Sequence, residues 1–446
     1  MNKHLRRRYF LQTLVTAGAA LPLIASGQER RPGEAIDQPV EQRNLTYIKD
    51  YGSHTISLRK FRKTRVDPSN WSSTLQAAAD SGEPTIRVHA DAPVTFADQW
   101  SINEHGQKWV GDGEDNSSLL KRTTIVDEAA IVVRGERNGM RHIGIQCASF
   151  AGMSEANVGV HVIRPDGEPA DQDFTFRDGY ISGFYYLAKN RGRGFSFINS
   201  LLTSARYCID LDWPADRDYV EGSRDIANRD TGFRRLLVDG CEFHAIQVAG
   251  VRNRGANAAN AHLIVRNCYS NIGDGIFAGY LGDGSVIENC TVTHANTIPF
   301  QINGGTNYTM RNNSVSGTRA TIRSVEPTNF MTMTGHHTGF VINGFHGTYC
   351  RKHGIDMHSG DFQGVIRNVD LCEIGSAGAS DYSGVNVIGT GVNTEILADG
   401  VSLRNASAAQ TVFRMNAAGS VLKHRGVVAL GAATPTTGGA GTRTAV

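Results

Sequence analysis

Two tetrapeptides, Val265-Arg266-Asn267-Cys268 and Ile287-Glu288-Asn289-Cys290, share one pattern: apolar residue, charged residue, asparagine, cysteine. Similar stretches recur on both sides of them, at Phe197-Ile198-Asn199-Ser200, Val238-Asp239-Gly240-Cys241, Met310-Arg311-Asn312-Asn313, Val341-Ile342-Asn343-Gly344 and Ile366-Arg367-Asn368-Val369. Their Asn/Gly positions are separated by 41, 27, 22, 23, 31 and 25 residues. A second strand of alternating apolar residues follows most of them. The chain therefore contains an internal repeat.

A repeat of this size cannot bury its apolar face alone, so successive units must stack into a solenoid. Glycine is abundant, with 50 residues in 446, and glycine and asparagine tolerate the positive φ that sharp corners need. Stacked asparagines can also bond along the stack. This composition excludes a helical bundle, a coiled coil and a polytopic membrane protein.

Cysteine occurs seven times, an odd number, with no Cys-x-x-Cys pair. Neither a zinc site nor a disulfide scaffold is indicated. Cys241, Cys268 and Cys290 fall at one repeat position. We expect them to be stacked, buried thiols that behave as small hydrophobic groups.

The repeat pattern resembles the pectate-lyase-like superfamily of right-handed parallel β-helices over roughly residues 60–430. The resemblance implies an all-β fold, a single-stranded parallel β-helix with a short N-terminal capping helix. The superfamily contains polysaccharide lyases, glycoside hydrolases, uronate epimerases and phage tailspikes, so fold alone does not choose an activity. A monomer and a trimer both stay open.

The segment before the repeats predicts a cap. Asp67-Pro68 followed by 69–79 is typical of a helix start. The alternating stretch Ile86-Arg87-Val88-His89-Ala90 predicts a strand. The glycines of Lys108-Trp109-Val110-Gly111-Asp112-Gly113 predict a turn, since no Gly-Lys-Ser/Thr follows to make a phosphate loop.

The first 27 residues predict an export signal. Four basic residues, among them Arg7 and Arg8, precede the apolar run 14–25 and small residues at its end. The run is short for a membrane span. Arg7-Arg8-x-Phe10-Leu11 resembles a twin-arginine signal, which implies a periplasmic or secreted protein. Beyond these residues, 41 basic and 43 acidic side chains remain, so no nucleic-acid-binding face is expected.

The sequence thus divides into four segments. We predict an export signal at 1–27, an N-terminal extension with the helical cap at 28–95, the parallel β-helix at 96–431, and a disordered Gly/Thr/Ala-rich tail at 432–446.

In the second strand of each unit, alternate residues point outward. In coil order these residues are Asp210 and Asp212, Gln247, Phe277, Gln301 and Asn303, Arg323, Asp356 and His358, and Asn386. Neighbouring coils lie about 4.8 Å apart, so Arg323 would stand one coil from Asp356 and His358. Gln301, Asn303 and Asn386 would bind sugar hydroxyls.

Residues 336–358 hold five of the fifteen histidines, with Arg351 and Lys352 among them. The stretch Gly354-Ile355-Asp356-Met357-His358 resembles the Asp-Pro-His motif of mannuronan C5-epimerases, with methionine in place of proline. Lyases and epimerases of uronate polymers share removal of the C5 proton. The resemblance implies His358 as the base and Asp356 as the group that orients it or binds sugar. Besides the base, the reaction needs a cation at the substrate carboxylate and an acid that protonates the leaving oxygen. Arg323 is the expected cation, with Arg351 and Lys352 in reserve, and His336, His337 or His353 the expected acid.

Three alternatives remain open at this point. Hydrolysis needs two carboxylates about 5 to 10 Å apart; Asp210 with Asp212, beside Trp213, or Asp361 or Asp381 near His358 could provide them. Asp210, Asp212 and Trp213 are equally expected to bind substrate as a sugar subsite, and the two carboxylates could instead bind Ca²⁺. C5-epimerisation is the second. A non-catalytic carbohydrate-binding or structural β-helix is the third. The sequence favours an exported lyase that cleaves an acidic, uronate-containing polysaccharide by β-elimination. No metal cluster is evident, and calcium, which some lyases of this fold use, is left open.

Overall fold

A computed structural model describes residues 55–62, 69–89, 92–112, 118–148, 152–163, 173–191, 194–213, 234–255, 261–271, 275–295, 298–317, 327–375, 382–388, 393–406, 410–416, 419–431, 434–437 and 442–445. Contacts divide the chain into Met1–Thr55 and one compact unit, Ile56–Val446. The export signal, Asp67, Pro68, Arg323 and Asp381 lie outside the described residues.

One α-helix, α1 (Ser72–Ala79), a 3₁₀ turn (Leu58–Phe61) and 37 strands make up the described secondary structure. In chain order the strands are β1 (Thr55–Ser57), β2 (Thr85–Val88), β3 (Val94–Phe96), β4 (Trp100–Ile102), β5 (Lys108–Gly111), β6 (Ser118–Arg122), β7 (Ala129–Val133), β8 (Gly139–Arg141), β9 (Ile143–Gln146), β10 (Val158–Val162), β11 (Phe174–Arg177), β12 (Tyr180–Ser182), β13 (Tyr186–Asn190), β14 (Gly194–Ile198), β15 (Leu201–Trp213), β16 (Arg234–Asp239), β17 (Glu242–Gly255), β18 (Ala261–Arg266), β19 (Tyr269–Asn271), β20 (Phe277–Leu281), β21 (Val286–Glu288), β22 (Thr291–Ala295), β23 (Phe300–Thr306), β24 (Thr309–Arg311), β25 (Ser314–Gly317), β26 (Met331–Thr334), β27 (His337–Asn343), β28 (His346–Thr348), β29 (Ile355–His358), β30 (Phe362–Cys372), β31 (Ser383–Ile388), β32 (Glu395–Ala406), β33 (Thr411–Met415), β34 (Val421–Arg425), β35 (Val428–Gly431), β36 (Thr434–Thr437) and β37 (Thr442–Ala445).

Each strand pairs in parallel with the strand one coil earlier and one coil later, which creates three long sheets. Sheet 1 runs from β2 through β5 and β8 to β34 and β37; sheet 2 runs from β3 to β35; sheet 3 runs from β4 to β36. The long strands β15, β17, β30 and β32 each bend across two sheets. The chain is therefore an all-β parallel β-helix, and the predicted fold class is confirmed.

Apolar side chains of successive coils stack inside the helix. Phe174 lies 5.8 Å from Phe195 between ring centroids, and Phe176 lies 5.5 Å from Phe197. Burying each large side chain stabilises the fold by about 1.5 to 3 kcal/mol. Because every coil contributes to the same interior columns, the stack has one continuous core.

The repeated Asn/Gly positions form the corner between sheets 1 and 2. Asn267, Asn289 and Asn312 have φ of 54°, 53° and 53°, a left-handed conformation that asparagine tolerates better than most residues. The amide of Asn289 donates to Asn267 and accepts from Asn312, at 3.3 and 3.4 Å. In the next coil the corner residue is Gly344, at φ 70°, and not the predicted Asn343. The sequence alignment was off by one residue there because Asn343 ends β27.

The stacked cysteines are buried as expected. Cys241, Cys268 and Cys290 are at most 2% exposed. Burial raises the pKa of the Cys241 thiol to about 12 and also raises the pKa of Cys268. Thiols that stay protonated and enclosed act as core side chains.

The N-terminal boundary differs from the prediction in two ways. Helix α1 begins at Ser72 rather than Ser69, because the Asn70 side chain accepts from the Ser72 backbone N–H at 3.0 Å and holds the preceding residues outside the helix. Leu75 and Ala78 are buried, as expected. The coils also begin earlier than residue 96, since β2 already pairs with β5.

The C-terminal tail contains β36 and β37, which pair with β33 and β34. These strands correct the prediction of a disordered tail for the residues they contain, because one more coil satisfies the free edge of the preceding one. Within the described ranges, no helix has the length and apolar character needed to cross a membrane.

We predict that Asn289→Ala lowers the free energy of unfolding by about 1 kcal/mol, the cost of a left-handed conformation for a residue with an ordinary Cβ. Asn289→Gly should stay within about 0.5 kcal/mol of wild type, since glycine accepts that conformation and the lost amide bonds are exposed. Urea denaturation measures both. Equal losses in the two variants would show that the amide bonds, rather than the backbone conformation, set the cost.

Candidate functional site

Three of the predicted outward residues, Gln301, Asp356 and Asn386, lie in one row on sheet 3. Strand register places Gln301, Thr332, Asp356, Asn386 and Arg414 on five successive coils. Neighbouring members are about 4.8 Å apart. We call this row the polar column. Its polar side chains occur together because the alternate residues of these strands face the interior.

A second row lies two residues further along the same strands. Thr334 and His358 are register partners, and the Thr334 hydroxyl donates to Asn303 Oδ1 at 3.4 Å. Gln301 Nε2 donates to the same oxygen at 3.3 Å. The structure thus brings Gln301 and Asn303 into the same surface as Asp356 and His358.

Asp356 and His358 form a carboxylate–imidazole pair on β29. His358 Nδ1 lies 3.2 Å from Asp356 Oδ2, an ionic approach without the alignment of a hydrogen bond. The His358 side chain is 39% exposed and that of Asp356 15%, so solvent reaches the imidazole more readily than the carboxylate. The pair is open to a ligand from the imidazole side.

Two amides hold the Asp356 carboxylate. Asn386 Nδ2 donates to Asp356 Oδ1 at 2.8 Å, and Asn329 Nδ2 donates to Asp356 Oδ2 at 3.3 Å. Asn386 is 1% exposed, and its Oδ1 has no hydrogen-bond partner. A buried acceptor without a donor is costly. Because Asn386 is enclosed, it holds the Asp356 carboxylate and does not face a sugar hydroxyl, which corrects its prediction as a sugar-binding residue.

His353 lies just before β29. Its Nδ1 accepts from the Ser383 backbone N–H at 3.1 Å, and its own backbone N–H donates to Asn329. Burial lowers the pKa of His353, the Asp356 carboxylate opposes that shift, and Arg414 reinforces it. His353 is therefore a neutral imidazole, held by the same asparagine that holds Asp356.

The other predicted side chains lie around this pair. His336 is 82% exposed, and its Nδ1 lies 3.2 Å from Asp361 Oδ2. Arg351 and Lys352 are exposed in the turn before β29, where their backbone N–H groups donate to Pro327 and Thr328.

His337 is not a surface group, which corrects its prediction as a catalytic acid. It is fully buried and stacks on Phe362 with ring centroids 5.3 Å apart. Its Nε2 donates to the Thr334 carbonyl and its Nδ1 accepts from the Tyr308 hydroxyl, both at 2.9 Å. Burial lowers the pKa of His337 to about 4. His337 is the first residue of strand β27, and its side chain points into the core.

The coil predicted to carry Arg323 is built differently. Between Gln301 and Asp356 the register places Thr332, while Arg323 lies outside the described residues. The cation that sequence reasoning missed is Arg414, one coil beyond Asn386.

Asp210 is not an exposed carboxylate, contrary to the predicted outward pair. Its side chain is fully buried and is paired with Arg252 Nε at 2.6 Å and Arg254 Nη2 at 3.3 Å. The Arg252 guanidinium covers it and lies 3.7 Å from the Tyr207 ring centroid. Asp212 and Trp213 end β15, with their side chains outside the described part. Phe277 is also inside the core, and Ala278 takes its outward position.

Sequence reasoning missed three residues of this surface: Asn329, Thr332 and Arg414. Asn329 precedes β26, a strand that the repeat pattern did not reveal, and Arg414 lies beyond the last recognised anchor. Over the described ranges, no group of three or more His, Cys, Asp or Glu side chains could hold a metal ion.

No family model matches the chain, and no curated protein sequence matches it. Solved structures do. The catalytic domain of a GH87 alpha-1,3-glucanase in complex with nigerose aligns with 86% of this chain and 68% of its own, at 12% identity and TM-score 0.46. Tailspike protein 3 of bacteriophage CBA120 aligns with 98% and 68%, at 12% identity and TM-score 0.45.

The enzymatically active domain of tailspike protein 2 of bacteriophage CBA120 aligns with 78% of this chain, at 12% identity and TM-score 0.42. The present chain spans about half the length of that protein, 48%. The assignment of the fold rests on the strand register described above.

We predict that His337 makes stability depend on pH. Its folded pKa of about 4 lies below the unfolded value of about 6.5. As pH falls, the unfolded chain binds the proton first, so stability is lost between about pH 6.5 and 4, by about 2 to 3 kcal/mol. His337→Gln keeps a donor and an acceptor and removes this loss. Urea denaturation from pH 4 to 7 should give a gap between the two proteins that changes with pH; parallel profiles would contradict the assignment.

Proposed function

We propose that this protein is an exported polysaccharide lyase that cleaves an acidic, uronate-containing polysaccharide by β-elimination at the Asp356–His358 pair. The observation that carries the proposal is the 3.2 Å approach of His358 Nδ1 to a carboxylate that two asparagines hold in place. Export is inferred from the basic and apolar residues of 1–27.

His358 acts as the general base. With Nδ1 turned toward Asp356, Nε2 is the nitrogen left for the substrate, and it takes the proton from C5 of the uronate. The Asp356 carboxylate orients the ring and stabilises the imidazolium that forms. The C5 electrons form the C4–C5 double bond as the C4–oxygen bond breaks, and the leaving oxygen takes a proton.

Charged groups around the pair supply the remaining roles. Arg414, two coils from Asp356, neutralises the uronate carboxylate while negative charge develops at C5. Arg351 and Lys352 add positive charge on the exposed turn. His336, whose Nδ1 lies 3.2 Å from Asp361 Oδ2, is the proton donor for the leaving oxygen.

Hydroxyl and amide side chains supply the binding surface for sugar. Gln301, Asn303 and Thr334 form one bonded group beside His358. A column of donors and acceptors repeating every ~4.8 Å suits a linear chain of hydroxyl-bearing units that lies along the helix axis.

Hydrolysis has less support at this surface. A glycoside hydrolase needs two carboxylates on either side of the scissile bond, whereas the neighbours of Asp356 in the polar column are Thr332 and Asn386. C5-epimerisation begins with the same proton removal, so the product decides between it and elimination.

We predict that His358→Ala lowers kcat on the uronate polymer by about 10² to 10⁴-fold, the usual contribution of a general base. Appearance of unsaturated, ultraviolet-absorbing ends measures the reaction over a panel of uronate polysaccharides. Asp356→Asn should also lower kcat. New reducing ends without ultraviolet absorbance would instead mean hydrolysis, and C5 proton exchange without cleavage would mean epimerisation.

His244→Ala is the matched control. His244 also follows a carboxylate by two residues on one strand, with Nε2 3.3 Å from Glu242 Oε2 and a side chain 34% exposed, but it belongs to sheet 2. The control should keep wild-type activity. Equal losses in both variants, or binding of the polymer with no turnover by the wild type, would reject the assignment of His358 as base.

A further inference from the structure

A second group of reactive side chains lies at the opposite end of the coil stack. The Ser57 hydroxyl is 2.7 Å from His89 Nε2, and His89 Nδ1 is 3.1 Å from Asp112 Oδ2. Eight coils of sheet 1 separate Asp112 from the coil that carries Asp356, which at ~4.8 Å per coil is about 40 Å. The group is therefore separate from the site described above.

The connectivity matches that of a nucleophilic hydrolase. One imidazole nitrogen contacts a hydroxyl and the other contacts a carboxylate, so the ring can take the hydroxyl proton while the carboxylate fixes its tautomer. In the tautomer that fits both contacts, Nδ1–H donates to Asp112 and Nε2 accepts from the Ser57 hydroxyl.

The coil register holds two members of this group. Val88 and Gly111 are partners in β2 and β5, so His89 and Asp112 follow on adjacent coils. The buried Ser118 hydroxyl accepts from the Asp112 backbone N–H and donates to the Val88 carbonyl, each at 2.7 Å. One enclosed side chain thus fixes the imidazole and the carboxylate relative to each other.

The other contacts of this group leave the hydroxyl proton of Ser57 available to His89. Ser57 ends β1 and accepts from the Arg59 backbone N–H at 3.2 Å, which fixes its position and leaves its proton for His89. Arg87 Nε contacts the other Asp112 oxygen and helps hold the carboxylate. The His89 and Asp112 side chains are 26% and 23% exposed, so a small substrate can reach the ring from solvent.

We propose that Ser57, His89 and Asp112 form a second active site that hydrolyses carboxylic esters through an acyl-serine intermediate. Ser57 Oγ bonds to the acyl carbon as its proton passes to His89 Nε2. The ester C–O bond then breaks, and the alcohol leaves with that proton. Water, deprotonated by His89, attacks the acyl-serine, releases the carboxylic acid and restores the hydroxyl. Ser57 and His89 are catalytic residues; Asp112 is a positioning residue.

The test uses the full chain, p-nitrophenyl acetate as the ester and a fluorophosphonate as the active-site label. We expect a burst of nitrophenolate equal to the enzyme concentration, which marks an acyl-enzyme, and a label on Ser57 located by peptide mass spectrometry. Ser57→Ala and His89→Ala should each lose at least about 100-fold in rate. Labelling of the wild type does not depend on whether a variant folds.

Ser154 provides the matched control. Its hydroxyl accepts a backbone N–H two residues on, from Ala156 at 3.2 Å, the same local bond that Ser57 makes. It should stay unlabelled, and Ser154→Ala should keep the wild-type rate. Asp112→Asn should lower kcat by up to about 10⁴-fold at unchanged KM, with partial recovery in Asp112→Glu, whereas a purely structural role would change only thermal stability.

Two results would overturn the proposal: no label on Ser57 in the wild type, or unchanged ester hydrolysis in Ser57→Ala. The assay contains no polysaccharide, so its failure leaves the lyase proposal untouched. Failure of the uronate assay likewise leaves this site standing.

Discussion

Parallel backbone pairing at a fixed coil spacing is the constraint on which the rest of this structure depends. Each residue of a strand has one partner about 4.8 Å above it and one below, facing the same way. A side chain at one coil must therefore be compatible in size and charge with its two neighbours in the same column. Apolar columns fill the interior, asparagine and glycine take the corner, and only the outer columns are free to vary.

Charged side chains on the outer surface follow the same constraint, because each lies next to the side chains of the neighbouring coils. Like charges on neighbouring coils would repel, and two acidic residues of sheet 1 have arginine one coil away: Asp239 pairs with Arg266, and Glu288 with Arg311. Asp356 is different, because its column neighbours are the neutral Thr332 and Asn386. Its carboxylate instead lies 3.2 Å from the imidazole of His358 on its own strand. This arrangement differs from an ion pair between coils such as Asp210 with Arg252.

Repetition determined what the sequence could reveal. The corner asparagines, the stacked cysteines and the shared face of Gln301, Asp356 and Asn386 follow from a regular period. Predictions failed where the coil is irregular. The 31-residue spacing before Asn343 hides β26, so Arg323 was given the coil position of Thr332 and His337 was taken for a surface group. Phe277 was assigned to the wrong face because its strand starts one residue later than the repeat suggested, and a one-residue slip inverts every side chain.

Burial by a neighbouring side chain is equally invisible in a sequence. Asp210 does lie in an outward position, but Arg252, whose guanidinium lies over the ring of Tyr207, pairs with it and covers it. Ser57, His89 and Asp112 carry no repeat signal at all, since each comes from a different coil of the irregular cap. The contacts between His89 and Asp112 depend on the same kind of strand register that aligns the polar column. Each coil contacts only the coils directly above and below it. Substitutions in one of two groups that lie on different sheets and eight coils apart therefore leave the geometry of the other unchanged. One stack can therefore hold both proposed sites, a base on sheet 3 and a nucleophile beside sheet 1, each with its own set of supporting contacts.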